Sequence, residues 1–346
     1  MGDDEEYIWL TRLAMWICEY SPLTSTLTIL LSIGLIPLLL FLTFYFLIID
    51  TASIQFFYLM GLATLIGVIG PYFLYRYDTI VFPKFIDRAK EVTPHENNKD
   101  IKRISKKYKN FFAKKYYYIV IPWSTVGLVA MRINIGYFKE LGVEGYTDPV
   151  FIPYLLLVAV GGIITGIGLH MVLTTILCIR EVGNLDFTID PLHPDGLGGL
   201  SAVGYFAISS TTLFSIGSLG LPFAFDLASS GGFTIIVYFL VITYIGTVII
   251  SFVYPTLYIN RRAKEIRRRM LEDKREQIQS LHEKIMDAEK EKNIGLLETK
   301  LATLRDEYDR YNNVNLYPMS PSILSKLISS ILLPLIFLLI ETYVVN

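Results

Sequence analysis

The stretch TIDPLHPDGLGGL (188–200), with Asp186 just ahead of it, gathers Asp186, Asp190, His193 and Asp195 into ten residues and follows them with Gly196, Gly198 and Gly199. Three chemistries suit that set. Carboxylates with one imidazole can bind a divalent cation, although the spacing matches no established metal motif. A histidine flanked by carboxylates can act as a protonation switch near neutral pH. The N–H groups of a glycine-rich helix start can hold a phosphate or other anion, although Asp195 competes for the same donors and repels such a guest. A structural role competes with all three. Asp195 stands where an N-cap belongs, and its carboxylate can accept N–H bonds from Leu197 or Gly198 and start the following helix, an effect worth ~1 kcal/mol. Pro191 and Pro194 then push Asp190 and His193 toward extended conformations, Gly196 supplies a positive φ, and Gly198 and Gly199 admit a close neighbour.

A second set lies inside apolar sequence. His170 interrupts GGIITGIGLHMVL, and an ionisable group at membrane depth either lines a polar path or is satisfied by a neighbouring helix. Downstream, SSTTLFSIGS places Thr211, Ser215 and Ser218 on one helical face, suited to a water-filled path. Hydroxyls also bond back to their own helix, which is the plainer account of them. Gly162 and Gly166 have the small-xxx-small spacing that lets helices touch. The chain contains no HExxH, GxGD or Walker A pattern and no nucleophile–base arrangement, so an enzyme ranks below transport and scaffolding. Cys18 and Cys178 suggest reduced, buried or interfacial thiols, not a disulfide or zinc site.

The elements that must position these residues are membrane helices. Of 346 residues 53% are hydrophobic and 18% charged, mean hydropathy is +0.47, and the charges sit in blocks between runs of bilayer-spanning length. The predicted fold class is all-α: a polytopic transmembrane bundle of about seven spans, with a six-span alternative, and a cytoplasmic helical hairpin insertion. An N-terminal interfacial segment, 1–23, carries a short helix around Tyr7, Trp9 and Trp16 and lacks the features of a cleaved signal peptide. A transmembrane hairpin follows over 24–75, then a basic cytoplasmic loop over 76–116, where 76–115 holds twelve Lys/Arg against five Asp/Glu. The transmembrane core, 117–259, comprises runs at 117–138, 150–179, 200–226 and 232–259, with the HPDG loop at 180–199 facing the cytoplasm. The 117–138 run is the weakest of these, because Arg132 and Asn134 sit near its end. A charged helical hairpin, 260–315, opens with NRRAKEIRRR, and a C-terminal span occupies 322–345.

Partners follow from the charged blocks. The run 99–115 interleaves lysines with Tyr108, Phe111 and Phe112, which suits anionic lipid headgroups better than nucleic acid, and no nucleic acid is expected. Ile278, Leu281, Ile285 and Ala288, and then Leu297, Leu301, Leu304, Tyr308 and Tyr311, form narrow stripes at spacings of three and four. These stripes pack the 260–313 hairpin on itself, coiled-coil fashion, or join it to a second copy or a cytoplasmic protein.

The stretch NLDFTIDPLHPDGLGGLSAVG resembles the HPDxxGGL signature of a diffuse group of uncharacterised prokaryotic multi-pass membrane proteins, matched here by His193, Pro194, Asp195, Gly198, Gly199 and Leu200. NLYPMSPSILSKLISSILLPL, with Tyr317-Pro318 before the last span, resembles the tail of such proteins. The resemblance implies a multi-pass topology in the cell membrane and lends no activity. The leading functional expectation is a channel or transport-like protein whose polar path runs through His170, Thr211, Ser215 and Ser218, gated by the HPDG loop. The alternative is a membrane-anchored sensor or assembly scaffold acting through 260–313. No resident cofactor is expected beyond a divalent cation at the loop.

Overall fold

The computed structural model describes residues 6–50, 54–133, 135–140, 144–149, 151–185, 187, 189–193, 195–224, 234–287, 294–314, 316, 325 and 336. Among them the chain is all-helical, with no strand. Five helices are long and apolar enough to cross a membrane: Ser25–Ile48, Phe56–Glu91, Phe151–Val182, Ser201–Ala224 and Tyr238–Met286. The expected count of about seven is therefore five among the described residues. The 117–138 run forms a helix of 17 residues, about 26 Å long at 1.5 Å per residue. The C-terminal run 322–345, apart from Ser325 and Ile336, lies outside the described residues, as do Asp186 and Pro194.

Helix α1 (Trp9–Tyr20) buries Leu10, Thr11 and Ala14 and turns Trp16 and Tyr20 outward. Its start is pinned by the Ile8 N–H, which donates to the buried Asp78 carboxylate at 3.2 Å. Helices α2 (Ser25–Ser32) and α3 (Leu35–Ile48) meet at Gly34, where a Cβ would lie 2.6 Å from the Val68 carbonyl oxygen. Helix α4 (Ile54–Arg76) then continues through a π-helical turn, Tyr77–Val81, directly into α5 (Phe82–Glu91).

The basic block expected as a loop is thus largely helical. Helix α5 buries Phe82, Phe85, Ile86 and Ala89, and α6 (Asn98–Lys115) buries Ile101, Ile104, Tyr108 and Phe112. Apolar residues three and four apart make one sticky face per helix, while the lysines between them stay in solvent. The high charge count hides that stripe.

Helix α7 (Tyr117–Ile133) is followed by α8 (Ile135–Glu140) and by the central helix α9 (Phe151–Val182). Gly162 and Gly166 allow α7 and α9 to touch, since a Cβ at 162 would lie 3.2 Å from Ser124 Cα and one at 166 would lie 3.0 Å from Val120 Cα. The Trp123 indole N–H donates to Thr165 Oγ1 across the same contact at 2.9 Å. Helix α10 (Ser201–Ser215) runs into a 3-10 turn, Ile216–Gly220. Helix α11 (Thr234–Asp287) is a single rod of 54 residues, about 80 Å long, and its second half is polar. Helix α12 (Ile294–Asn313) packs along that polar half. Lys274 pairs with Glu307, and Arg267 donates to the Asn312 and Val314 carbonyls, so the two helices run antiparallel. Leu281 and Leu301 are buried in this contact, with Ile278, Ile285, Leu304 and Tyr308 half-buried.

Candidate functional site

The HPDG segment is a compact turn, not the extended strand its prolines suggest. Asp190 is the reason: its Oδ1 accepts the Leu192 N–H at 2.9 Å and its carbonyl accepts the His193 N–H at 3.1 Å, an Asx-type turn that overrides the extended preference. Asp195 then organises everything after it. Its Oδ1 accepts N–H bonds from Leu197 (2.8 Å) and Gly199 (3.1 Å), and its Oδ2 accepts that of Ser201 (3.1 Å). The helix begins at Ser201, so Asp195 is not its N-cap residue. The carboxylate instead folds a nest of backbone N–H groups whose last member is the first residue of α10. Gly196, Gly198 and Gly199 take φ of +63°, +66° and +90°, which turns those N–H groups inward.

Burial raises the Asp195 pKa, but the donations from Leu197, Gly199 and Ser201 outweigh it and hold the carboxyl at about 2. Asp195 is therefore an anion at every physiological pH. His193 Nδ1 lies 2.8 Å from Asp195 Oδ1. A nitrogen that close to a carboxylate oxygen carries the proton and donates it, so the 3.3 Å approach of the Asp195 N–H to Nδ1 is proximity, not a bond.

This geometry bears on the loop's three chemistries. The N–H groups that an external anion would need are already occupied by Asp195. Asp190 and Asp195 turn oxygens toward backbone donors, and among the described residues no group of three or more His, Cys, Asp or Glu could hold a metal ion. His193 keeps an aqueous edge, with its side chain 28% exposed.

Distant elements meet on the loop. A Cβ at Gly198 would lie 2.7 Å from Ile189 Cγ2 and 3.3 Å from Val314 Cγ1, just past the end of α12. One at Gly199 would lie 2.4 Å from Val92 Cγ1, at the end of α5. Arg262 of α11 donates to the Gly183 carbonyl at 3.1 Å, and the Tyr258 hydroxyl donates to Asn184. On α9, Glu181 receives Lys107 and the Tyr108 hydroxyl (2.7 Å) from α6. Burial and the adjacent Glu181 carboxylate push the Tyr108 pKa well above that of an ordinary tyrosine. Helices α5, α6, α9, α10, α11 and α12 are thus tied together within a few ångströms of residues 181–201.

The candidates within the long apolar helices fall into two separate places. His170 is fully buried against α6: its Nε2–H donates to the Phe111 carbonyl at 3.0 Å, and its ring stacks on Phe112 at 5.9 Å between centroids. The hydroxyl run faces α11 instead. Thr211 bonds Ser251 at 2.8 Å and the Ala207 carbonyl at 2.8 Å, Ser215 bonds the Thr211 carbonyl at 2.8 Å, and Ser218 lies beside the Tyr244 hydroxyl. All three hydroxyl residues are buried. Among the described residues, neither group lines the hollows beside α4, α5, α6, α9 and α10, and His193 lines none of them.

Several residues of consequence were not singled out from the sequence. Val92 and Val314 give no local signal, because their role is defined by glycines over a hundred residues away. Glu181 and Lys107 carry no sequence signal of their pairing, and Tyr108 stood out only as an aromatic among lysines. Arg76, Lys84 and Arg88 were counted only as topology markers, although their spacings of eight and four place them on one helical side. No protein family, curated protein or solved structure matches this chain.

Proposed function

We propose that this is a membrane-anchored sensor or assembly scaffold whose working arm is the α11/α12 helical hairpin, held on the cytoplasmic side with the N-terminus and both charged blocks. One observation carries the reading: the Asp195 nest packs Val314, at the root of the arm, and Val92, at the end of the membrane-anchored α4/α5 rod, onto adjacent glycines. A change in the arm's position is felt at that contact, and so is a change in the bundle. The arm's apolar stripe is covered by its own two helices, so the surface left for a partner is the charged outer one. The HPDG loop then acts as a mechanical joint in this chain.

Transport remains the second reading, favoured by the buried Thr211–Ser251 link between α10 and α11 but not by His170, which the Phe111 carbonyl satisfies. Ion flux in proteoliposomes across pH, with and without divalent cations, separates the two. The scaffold reading expects no flux from the wild type and none from His193→Ala or Asp195→Asn. Hydrogen exchange should then show α12 losing protection in Asp195→Asn while α9 keeps it. Wild-type flux whose pH or cation response changes in those variants overturns the scaffold in favour of a gated path.

A further inference from the structure

The rod formed by α4, the π-helical turn and α5 leaves the membrane with a row of cations along one side. From Phe56 to Arg76, at 1.5 Å per residue, the rod covers about 30 Å, the thickness of the hydrocarbon layer. Arg76 therefore stands at the headgroup level, with Lys84 and Arg88 about 12 and 18 Å farther along the rod, their long side chains able to reach back toward it. Together with Tyr205 and Ser209 from the first turns of α10, they line a hollow of about 370 Å³, floored by Phe85 and Phe206.

The charge in this hollow is one-sided. No carboxylate lines it, and among the described residues none pairs with Arg76, Lys84 or Arg88. Arg88 lies over the Tyr205 ring, 5.8 Å from its centroid. The neighbouring hollow between α5 and α6 differs, since Lys90, Lys102, Lys106 and Lys109 share it with Glu6 and Asp87, and Lys90 pairs with Asp87 at 2.7 Å. Three cations converging on one space repel each other until an anion joins them. Two guanidinium forks match the oxygens of a phosphate, and the two hydroxyls can donate to the same group. At this depth the abundant phosphate is the one that lipids carry.

We propose that the hollow bounded by Arg76, Lys84, Arg88, Tyr205 and Ser209 is a phosphate-binding site whose natural occupant is the headgroup of an anionic phospholipid. The inference does not depend on the scaffold reading. It differs from the diffuse attraction expected of 99–115, because it names a walled site with a defined side-chain set.

Native mass spectrometry of the full-length protein in mild detergent tests it, with dihexanoyl phosphatidylglycerol, dihexanoyl phosphatidylcholine and inorganic phosphate as probes. Phosphatidylglycerol should bind the wild type in preference to phosphatidylcholine. Occupancy should require about tenfold more lipid in Arg76→Gln/Arg88→Gln and stay unchanged in Lys102→Gln/Lys106→Gln. If the double variant does not remain monodisperse and helical, the single variant Lys84→Gln, on an exposed side chain, carries the test with about a fivefold weakening. Displacement of the lipid by an equal concentration of inorganic phosphate would keep the phosphate site and assign it to the free ion, whereas resistance to displacement assigns it to the lipid. Equal binding of the two lipids, unaltered binding in both cation variants, or an equal loss in the Lys102/Lys106 control would each overturn the proposal.

Discussion

Two polar regions of this protein use similar atoms in opposite ways. At the HPDG junction one carboxylate gathers three backbone N–H groups, and the turn it makes is where α5 and the root of α12 meet. Four hydroxyls of α10, those of Ser210, Thr211, Thr212 and Ser215, and that of Ser251 on the facing α11, each bond a carbonyl three or four residues back in their own helix. The first is a local turn onto which two distant elements pack, through Val92 and Val314. The second, apart from the Thr211–Ser251 link, would exist in an isolated helix. Polar content alone therefore does not locate function; what packs against the polar turn does.

The strongest way to break that contrast is at the glycines. Gly199→Ala places a Cβ 2.4 Å from Val92 Cγ1 at a φ of +90°, so steric and backbone costs combine to about 2–4 kcal/mol. Gly196→Ala, three residues earlier, has a φ of +63° but meets nothing within 4 Å, so it should cost only about 1 kcal/mol. Thermal unfolding in detergent, followed by helicity, should rank the two clearly. Equal destabilisation would mean that the contact with α5 contributes nothing and that the junction is merely a turn.

Next in size is Asp195→Asn. The amide keeps one acceptor oxygen and turns an NH2 group toward a backbone donor, leaving it unsatisfied at a cost of about 1–3 kcal/mol. The wild type carries a matching pH signature. Because the folded pKa of about 2 lies below the model-compound value of 3.8, the carboxylate's contribution is fully present above about pH 4 and is lost as pH falls toward 2. Acid unfolding of Asp195→Asn should lack that component. An identical acid limb in both proteins would remove the ionised nest from the account.

What could be read in advance follows the same division between local and distant. The DG pair announced a carboxylate that accepts the Leu197 N–H and a positive φ at Gly196, because turn chemistry is written in neighbouring residues. The apolar runs announced membrane-length helices for the same reason, although about seven were expected and five are that long and apolar among the described residues. The start of α10 was misjudged, since Asp195 satisfies Gly199 and Ser201 across a wider loop than an N-cap permits. The turn at Asp190 departs from the expected extended segment, because the Asx bond to Leu192 outweighs the proline preference. The helical character of 82–115 was legible in Phe82, Phe85, Ile86 and Ala89, but the charge count outweighed it. His170 beside Phe111, Glu181 beneath Tyr108, and Val92 against Gly199 were not legible, because no periodicity in one segment specifies which face of another it will meet.

The ties around the junction should weaken in smaller steps. Glu181→Gln keeps an acceptor for the Tyr108 hydroxyl but loses the ion pair with Lys107, whose side chain is 56% exposed. Solvent screening limits such a pair to under about 1 kcal/mol. The unfolding midpoint should fall slightly and lose its dependence on salt at low ionic strength. A larger loss would extend the tertiary region from the loop down to α6.

The smallest effect belongs to the hydroxyl run, and it decides what that run is for. Thr211→Val preserves shape and removes both the back-bond to Ala207 and the link to Ser251. Ser251 still donates to the Val248 carbonyl at 2.7 Å, so no buried donor is stranded. The change should cost about 0.6 kcal/mol, typical of interhelical hydrogen bonds within membranes. Proteoliposome flux should be the same before and after it. A Thr211→Val protein that is equally stable yet altered in flux would show these hydroxyls facing a conducted species at some point in a cycle, and the division between a tertiary junction and a merely local run would no longer hold.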